Sequence, residues 1–370
     1  MCGIAGFVND MPIDVKCPVL QRMTDMIAHR GPDSEGHYID EHAALGHRRL
    51  SIIDLGGGQQ PIYNEDGSKV ITFNGEIYNY QTLREELIAA GHTFTTKSDT
   101  EVLLHGYEQW GVDLLQRVRG MFTFVIWDKN KQELFGARDH FGIKPFYYAK
   151  MNGTFMYASE IKSLLRHPDF VKELNAEALK PYMTFQYPAI GETFFKGVYK
   201  LPEGHYFTYR DGKMDIHRYY DEDFREGKQK LGELVNSIDQ TVCDSVKAHQ
   251  IADVEVGSFL SSGVDSSYVA AVARPQHTYS IGFGKGTYNE SQQAGELAEL
   301  LKLNNTAESL TDEEAFAAFP RIQWHLDEPD SNPSCVPLYF LSALAAKDVK
   351  VVLSLSLIHI SEPTRRVVIS

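Results

Sequence analysis

MCGIAGFV, residues 1–8, sets a cysteine directly behind the initiator methionine and directly ahead of a short apolar run. Removal of Met1 would leave Cys2 as the amino-terminal residue, with a nucleophile and a base on one residue. A free α-amino group titrates near ~8, well below a lysine, and can take the proton from its own residue's side chain. Residues 3–8 read as a buried strand, so the thiol would stand just ahead of that strand. A cysteine at position two also occurs without any catalytic role, and the stretches that follow bear on the choice.

Downstream, Val19, Leu20, Met23, Met26 and Ile27 fall on one helical face before a break at HRGPDSEG, residues 29–36. VITFNGEIYN, residues 70–79, reads as a strand entering a turn, and a helix is expected from about Gln81 to Ala90, ended by Gly91. TFVIWD, QELFGARD and TFMYASE add strands separated by short turns. This is an α+β pattern rich in antiparallel pairing. DEDFREGKQK, residues 221–230, is a charged linker, and from about Leu231 the rhythm changes. A helix carrying Leu234, Ile238, Val242 and Val246 leads to the strand VEVGSFL, a serine and glycine turn, a helix, the strand TYSIGF and a helix after Asn289. Strand and helix now alternate as in a parallel α/β sheet.

The chain has 370 residues, 43% hydrophobic and 23% charged, which suits two packed globular domains. A formal charge of −14 argues against nucleic acid or an anionic membrane as partner and leaves small-molecule chemistry as the default. The four cysteines, Cys2, Cys17, Cys243 and Cys335, show no C-x-x-C pairing, which suits a reducing compartment and speaks against zinc or disulfide scaffolding. No apolar run approaches the ~20 residues that span a bilayer, and the N-terminal run lacks the basic start of a signal peptide. A cytoplasmic protein is expected.

SFLSSGVDSSYVAAV, residues 258–272, reads as a strand, a loop of small residues and a helix start. Backbone N–H groups at such a terminus can cradle phosphate oxygens, and Asp265 would then point to a magnesium-bound phosphate. A tight turn capped by serines satisfies the same pattern. The Walker spacing G-x-x-x-x-G-K-[ST] is missing, so phosphate would be held differently from an ordinary ATPase.

Together, MCGIAGF, HRGPDSEG, GHRRLSIIDLGGGQQP, NGEIYN and KSDTEV resemble the class II glutamine amidotransferase domain, and FLSSGVDSS resembles the pyrophosphate loop of the ATP pyrophosphatases. Their order in one chain resembles glutamine-hydrolysing asparagine synthetase, from Cys2 to about Ser354. The resemblance implies an α+β N-terminal-nucleophile sandwich (αββα) over residues 2–210 and a linker over 211–235. An incomplete α/β parallel-sheet nucleotide-binding domain would follow over 236–354.

By that resemblance Cys2 attacks the glutamine carboxamide, while the Asn74 side chain and the Gly75 backbone donate to the oxyanion. Arg49 pairs with the substrate α-carboxylate and Glu76 and Asp99 hold its α-amino group; Leu50, Ser51, Ile52 and Ile53 belong to the same glutamine site. The glycines 56–58 would give a lid its flexibility. Leu260 and Ile281 would line the adenine nucleotide, positions that plain core residues also fill. Ser261, Ser262, Gly263, Asp265 and Ser266 would surround the pyrophosphate of ATP, with magnesium at Asp265 and Asp327. The family usually has glycine where Ser262 stands. Asp327 and Glu328 would lie near magnesium pyrophosphate, although two acids before Pro329 also suit a solvated helix end.

The implied reaction adenylates the β-carboxylate of aspartate and displaces AMP with ammonia from glutamine. Pairing of two copies into a homodimer accompanies the family, and no stretch of this sequence marks an interface. Family members continue beyond VVLS with a glycine- and acid-rich loop, whereas LSLIHISEPTRRVVIS, residues 355–370, resembles a translated sequencing adapter and reads as non-native. The chain as written is therefore expected to keep glutaminase capacity only. Two other readings stand beside this one: a related amidotransferase acting on another carboxylate, and a non-catalytic nucleotide-binding scaffold.

Overall fold

A computed structural model of the chain describes residues 1–225, 227–283, 290–330, 332–354 and 368–369. The chain divides into two compact units, Met1–Asp221 with His325–Asn332, and Glu222–Trp324 with Pro333–Ser370.

In the first unit the order is β1 (Gly3–Val8), α1 (Ile13–Asp25), β2 (Ser34–Ile39), β3 (Ala43–Arg49), β4 (Ile62–Tyr63), β5 (Lys69–Ile77), α2 (Tyr80–Ala89) and α3 (Asp99–Trp110). There follow β6 (Gly120–Asp128), β7 (Glu133–Arg138), β8 (Tyr147–Met151), β9 (Thr154–Ala158), α4 (Ile161–Leu164), α5 (Leu179–Phe185), β10 (Val198–Lys200), β11 (His205–Arg210) and β12 (Lys213–Arg218). They form two six-stranded antiparallel sheets, β10-β8-β9-β1-β3-β2 and β12-β11-β7-β6-β5-β4.

Strand side chains alternate between faces, so each core residue reports which way its strand points. Ile4, Leu45, Val70, Val125, Trp127, Phe155 and Phe207 form a core between the two sheets. Ala5, Phe7 and Ala44 pack outward with Val19, Leu20, Met23 and Leu164 of α1 and α4. Ile71, Phe73 and Ile77 pack outward on Leu83 and Leu87 of α2 and Val102 and Leu103 of α3. The layers are therefore helix, sheet, sheet, helix, the αββα sandwich expected from the sequence. Burial on both faces is why β1 reads as an unbroken apolar run rather than as an alternating one.

The second unit opens with α6 (Leu231–Ala248), β13 (Val256–Phe259), α7 (Val264–Ala273), β14 (His277–Phe283), α8 (Glu290–Leu301) and β15 (Asn304–Leu310). It continues through α9 (Asp312–Leu326), α10 (Cys335–Ala345), β16 (Val351–Leu353) and β17 (Val368–Ile369). The parallel sheet runs β15-β14-β13-β16-β17. From β13 the chain builds outward on one side and returns to the other at β16, and that reversal makes a crevice at the carboxyl ends of β13 and β16.

The linker expected over 211–235 is corrected at both ends. Lys213–Arg218 form β12, paired to β11 from His205↔Arg218 to Arg210↔Lys213, and α6 already begins at Leu231. A two-residue turn at Asp211 and Gly212, both with positive φ, closes that hairpin. Of the stretch read as non-native, residues 355–367 and 370 lie outside the described residues, and Val368–Ile369 pair in parallel with β16.

Candidate active site

The register of β1 against β3 matches Gly3 with Arg48, which brings Cys2 alongside Arg49 at the end of the ladder. Cys2 shares the face of Ile4, Arg49 that of Leu45, and Asn74 and Glu76 that of Val70, so all four point between the sheets. His47, on the same face of β3, crosses to the opposite sheet with Nε2 3.0 Å from the Phe73 carbonyl. Burial drives its pKa down to about 3, so it donates there as a neutral ring.

The Cys2 thiol lies against the Leu50 backbone, with Leu50 N–H 3.4 Å and Leu50 carbonyl 3.6 Å from Sγ. Burial raises its pKa, opposed by the N-terminal ammonium, the Leu50 contact and Arg49, while Asp99 adds to the rise. At rest Cys2 is therefore the neutral thiol. Arg30 Nε donates to the Cys2 carbonyl at 3.0 Å and fixes the backbone of the nucleophile. Met1 is buried, with its sulfur 2.6 Å from Lys144 Nζ.

On β5 both polar atoms of the Asn74 side chain and Oε1 of Glu76 are buried with no hydrogen-bond partner among the described residues. Leaving such a group unpaired costs about 1–3 kcal/mol, so three of them on one face mark a place where a ligand completes the bonding. Gly75 between them has no room for a side chain, since a Cβ would stand 2.2 Å from the Met121 carbonyl and 2.7 Å from Phe122 Cα. Burial lifts Glu76 to about 8, with Lys144 pulling it back and Asp99 pushing it further. Burial lifts Asp99 to about 6 against N–H groups of Ile77, Asp99 and Thr100, and its Oδ2 accepts from Ile77 N at 3.0 Å. Ser98 caps α3 and so delivers Asp99 as its first residue.

The loop after β3 folds onto Arg49. Nη2 donates to the carbonyls of Ile53 at 3.1 Å and Asp54 at 2.7 Å, and a Cβ on Gly58 would stand 2.7 Å from it. Ser51 N–H is held by Asp33 Oδ2 at 2.9 Å, and Leu50 and Ile52 are buried. Thus the structure gathers Cys2, Arg49, Leu50, Asn74, Glu76 and Asp99 around one space.

Sequence reasoning missed the groups that support the nucleophile. Glu160 is buried and accepts from Arg30 Nη1 at 3.1 Å, His29 at 2.9 Å and Lys162 at 2.6 Å. HRGPDSEG contains two of these residues, but their partners lie some 130 positions on and no local pattern announces them.

Asp327, expected at magnesium, falls within the first unit. Its carboxylate is buried in the first unit, 2.8 Å from Lys162 Nζ through one oxygen and 2.6 Å from Ile161 N–H through the other. Glu328 accepts from Phe194 N–H at 3.2 Å and pairs with Lys200 at 2.8 Å. These contacts tie the segment carrying both acids into the sandwich.

In the second unit the Ser261–Ser266 loop leaves the carboxyl end of β13. Ser266 Oγ accepts from Ser261 N–H at 3.1 Å and lies 2.8 Å from Ser261 Oγ, and Ser261 Oγ accepts from Gly263 N–H at 3.1 Å. These bonds close a turn whose outer residues, Ser262, Gly263 and Asp265, are exposed at the start of α7. Leu260 is buried, Ile281 is half-buried on β14, and Ser280 Oγ donates to the Leu260 carbonyl at 2.8 Å.

A thiol at the head of a central strand, aimed between two stacked antiparallel sheets and faced by a buried asparagine and two buried acids, defines an N-terminal-nucleophile amidotransferase. Residues 1–220 match the glutamine amidotransferase domain family and residues 237–354 the asparagine synthase family. Asparagine synthetase [glutamine-hydrolyzing] 1 of Bacillus subtilis is 43% identical over 362 residues, covering 96% of this chain and 57% of that protein. A Methanocaldococcus jannaschii sequence named for the same activity is 33% identical over 383 residues, covering 96% of this chain and 73% of that protein. Amidase chry2 of Gibberella zeae is 31% identical over 371 residues, covering 89% and 54%. The chain belongs to the glutamine-hydrolysing asparagine synthetase family. It spans a little over half the length of the Bacillus subtilis relative.

Proposed function

We propose that this protein hydrolyses glutamine at Cys2 and passes the ammonia to an ATP-activated carboxylate, that of aspartate, giving asparagine, glutamate, AMP and pyrophosphate. Asn74 and Glu76, buried between the sheets with polar atoms left unpaired, are the observation that carries this reading. The Cys2 amine, freed by loss of Met1, takes the thiol proton; sulfur attacks the carboxamide carbon; Asn74 Nδ2 and the Gly75 N–H donate to the oxyanion. The C–N bond breaks, ammonia leaves with the proton, and water then hydrolyses the thioester to glutamate. Glu76 and Asp99 would take the substrate ammonium. Arg49 would take its carboxylate, with Leu50, Ser51, Ile52 and Ile53 shaping the pocket.

For the second half we assign ATP to the exposed turn of Ser261, Ser262, Gly263, Asp265 and Ser266, with Leu260 and Ile281 beside the base. The exposed Asp265 carboxylate in the first turn of α7 offers the hard oxygen donor that magnesium prefers. Magnesium would screen the polyphosphate charge there. We further infer a glutaminase domain over 2–210, a synthetase domain from 236, a homodimer, and a cytoplasmic location without nucleic acid partners. Among the described residues no helix is long and apolar enough to cross a membrane.

Glutaminase assay tests the first half. Cys2→Ala should abolish glutamate release, and Asn74→Ala should lower kcat about 10²–10³-fold with little change in KM, as loss of one oxyanion donor does. Full turnover by Cys2→Ala, or by a chain that retains Met1, would refute the mechanism. A second reading keeps the glutaminase step and sends the ammonia to another carboxylate. Product analysis with ATP and aspartate separates the two, since only the first yields asparagine.

A further inference from the structure

A second convergence of ionisable side chains lies in the first unit, built by the turn between β4 and β5, the chain just after α2, and α3. Glu65 comes from the turn, His92 follows Gly91 at the end of α2, and His105 and Glu108 stand one turn apart on one face of α3. One ligand-type atom from each lies within 4.8 Å of all the others. His92 Nδ1 is 3.1 Å from Glu65 Oε1, and His105 Nδ1 is 3.3 Å from Glu65 Oε2 and 3.2 Å from Glu108 Oε2. A tetrahedral cation with bonds of about 2.0–2.1 Å requires its ligands about 3.3–3.4 Å apart, so the four atoms, spread over up to 4.8 Å, would draw in around it.

Several atoms of the cluster have further partners. His92 Nε2 lies 3.3 Å from Gln109 Oε1. Asn64 Nδ2 donates to Glu108 Oε1 at 2.7 Å, and Thr93 N–H to Glu65 Oε1 at 3.1 Å. Such partners orient metal ligands and fix the ring tautomer. His105 Nδ1 faces the carboxylates of Glu65 and Glu108 at 3.3 and 3.2 Å, while its Nε2 makes no hydrogen bond among the described residues. The His105 side chain is 1% exposed, those of His92 and Glu108 15% and 17%, and that of Glu65 37%, so the cluster is sheltered yet open at one corner.

We propose that Glu65, His92, His105 and Glu108 bind one divalent cation of the zinc class, which pins the β4–β5 turn and the end of α2 to α3. Two imidazoles with two carboxylates favour such borderline cations over magnesium or calcium. Four protein ligands make the site structural rather than catalytic.

Cobalt(II) titration of the metal-free full chain tests this, because tetrahedral cobalt absorbs strongly in the visible and a thiolate ligand adds its own charge-transfer band. The expected result is one cobalt per chain with the tetrahedral spectrum, no sulfur band, displacement by zinc and a raised melting temperature. His92→Ala and Glu65→Gln, both at the open edge, should each weaken binding at least about tenfold while melting like the metal-free parent. Where one variant fails to fold, the other decides. Absence of the tetrahedral spectrum overturns the proposal and leaves a protonated His105 as the cation. A sulfur band, or unchanged affinity in the folded variants, overturns it equally.

Discussion

Burial gives Glu76 and Asp99 pKa values of about 8 and about 6, so at neutral pH Glu76 carries a proton that its unfolded counterpart has lost. The unfolded chain sheds that proton near the ordinary value of 4.5, the folded chain near 8. Stability conferred by Glu76 is thus complete below the lower value and falls as pH rises toward the upper one, by about 1.4 kcal/mol per pH unit, before levelling off. Glu76→Gln removes the penalty. The stability gap in its favour, read from urea midpoints without glutamine, should open between about pH 5 and about pH 8 and stay constant above; a gap independent of pH would refute the assignment. Under the proposed function, a substrate ammonium would supply the positive charge that Glu76 lacks. At this scale the sequence was unusually legible. Cys2, Arg49, Asn74, Gly75 and Asp99 sit in short recognisable strings, while Lys144, Glu160 and Lys162 act through partners far along the chain and have no local signature.

Helix α3 shows why elements were harder to read than residues. KSDTEV was visible as a motif, yet the helix it opens is buried almost all round from Asp99 to Tyr107 and shows no polar face to give the usual period. Its start is fixed by polar contacts instead. Ser98 Oγ accepts from Glu101 N–H at 3.4 Å, and Glu101 accepts from the N–H groups of Thr95 and Thr96 at 2.7 Å each. Although burial raises Glu101, the His105, Thr95 and Thr96 contacts bring its pKa down to about 2. Ser98→Ala should cost about 1 kcal/mol in urea unfolding, as cap removal does. Glu101→Gln should cost more, about 1.5–3 kcal/mol, because its lost bonds involve a charge, and should raise the KM for glutamine by loosening Asp99. A neutral Glu101→Gln would mean the strap 95–97 is held otherwise. Strands β2 and β3 escaped for a related reason. His47 and Arg49 face inward where an alternating strand would carry apolar residues, so the site itself interrupts the pattern that would have announced the strand.

At the scale of the molecule, the match to the amidotransferase family ends at residue 220, but the compact unit does not. His325–Asn332, distant in sequence, belong with Met1–Asp221. Asp327 is the last link of a buried chain of charges that runs through Lys162, Glu160 and Arg30 to the carbonyl of Cys2, at 2.8, 2.6, 3.1 and 3.0 Å. Arg30, Glu160, Lys162 and Asp327 are all nearly inaccessible. His29 also reaches Glu160, at 2.9 Å, and burial raises Asp327 to about 7, so removing Asp327 takes from Lys162 one of its two acidic partners in the chain that leads to the Cys2 backbone. Breaking a buried pair by deleting one partner costs about 3–5 kcal/mol. Two measurements follow from this arrangement. In the full chain, Asp327→Ala should lower the unfolding free energy of the first unit by up to that range, read from its urea transition. A fragment of residues 1–221 should melt below the same unit in the full chain, and a peptide of residues 325–332 should restore part of the difference. A fragment as stable as the parent, together with a silent Asp327→Ala, would show that the sandwich is self-sufficient and that these acids are free for another role.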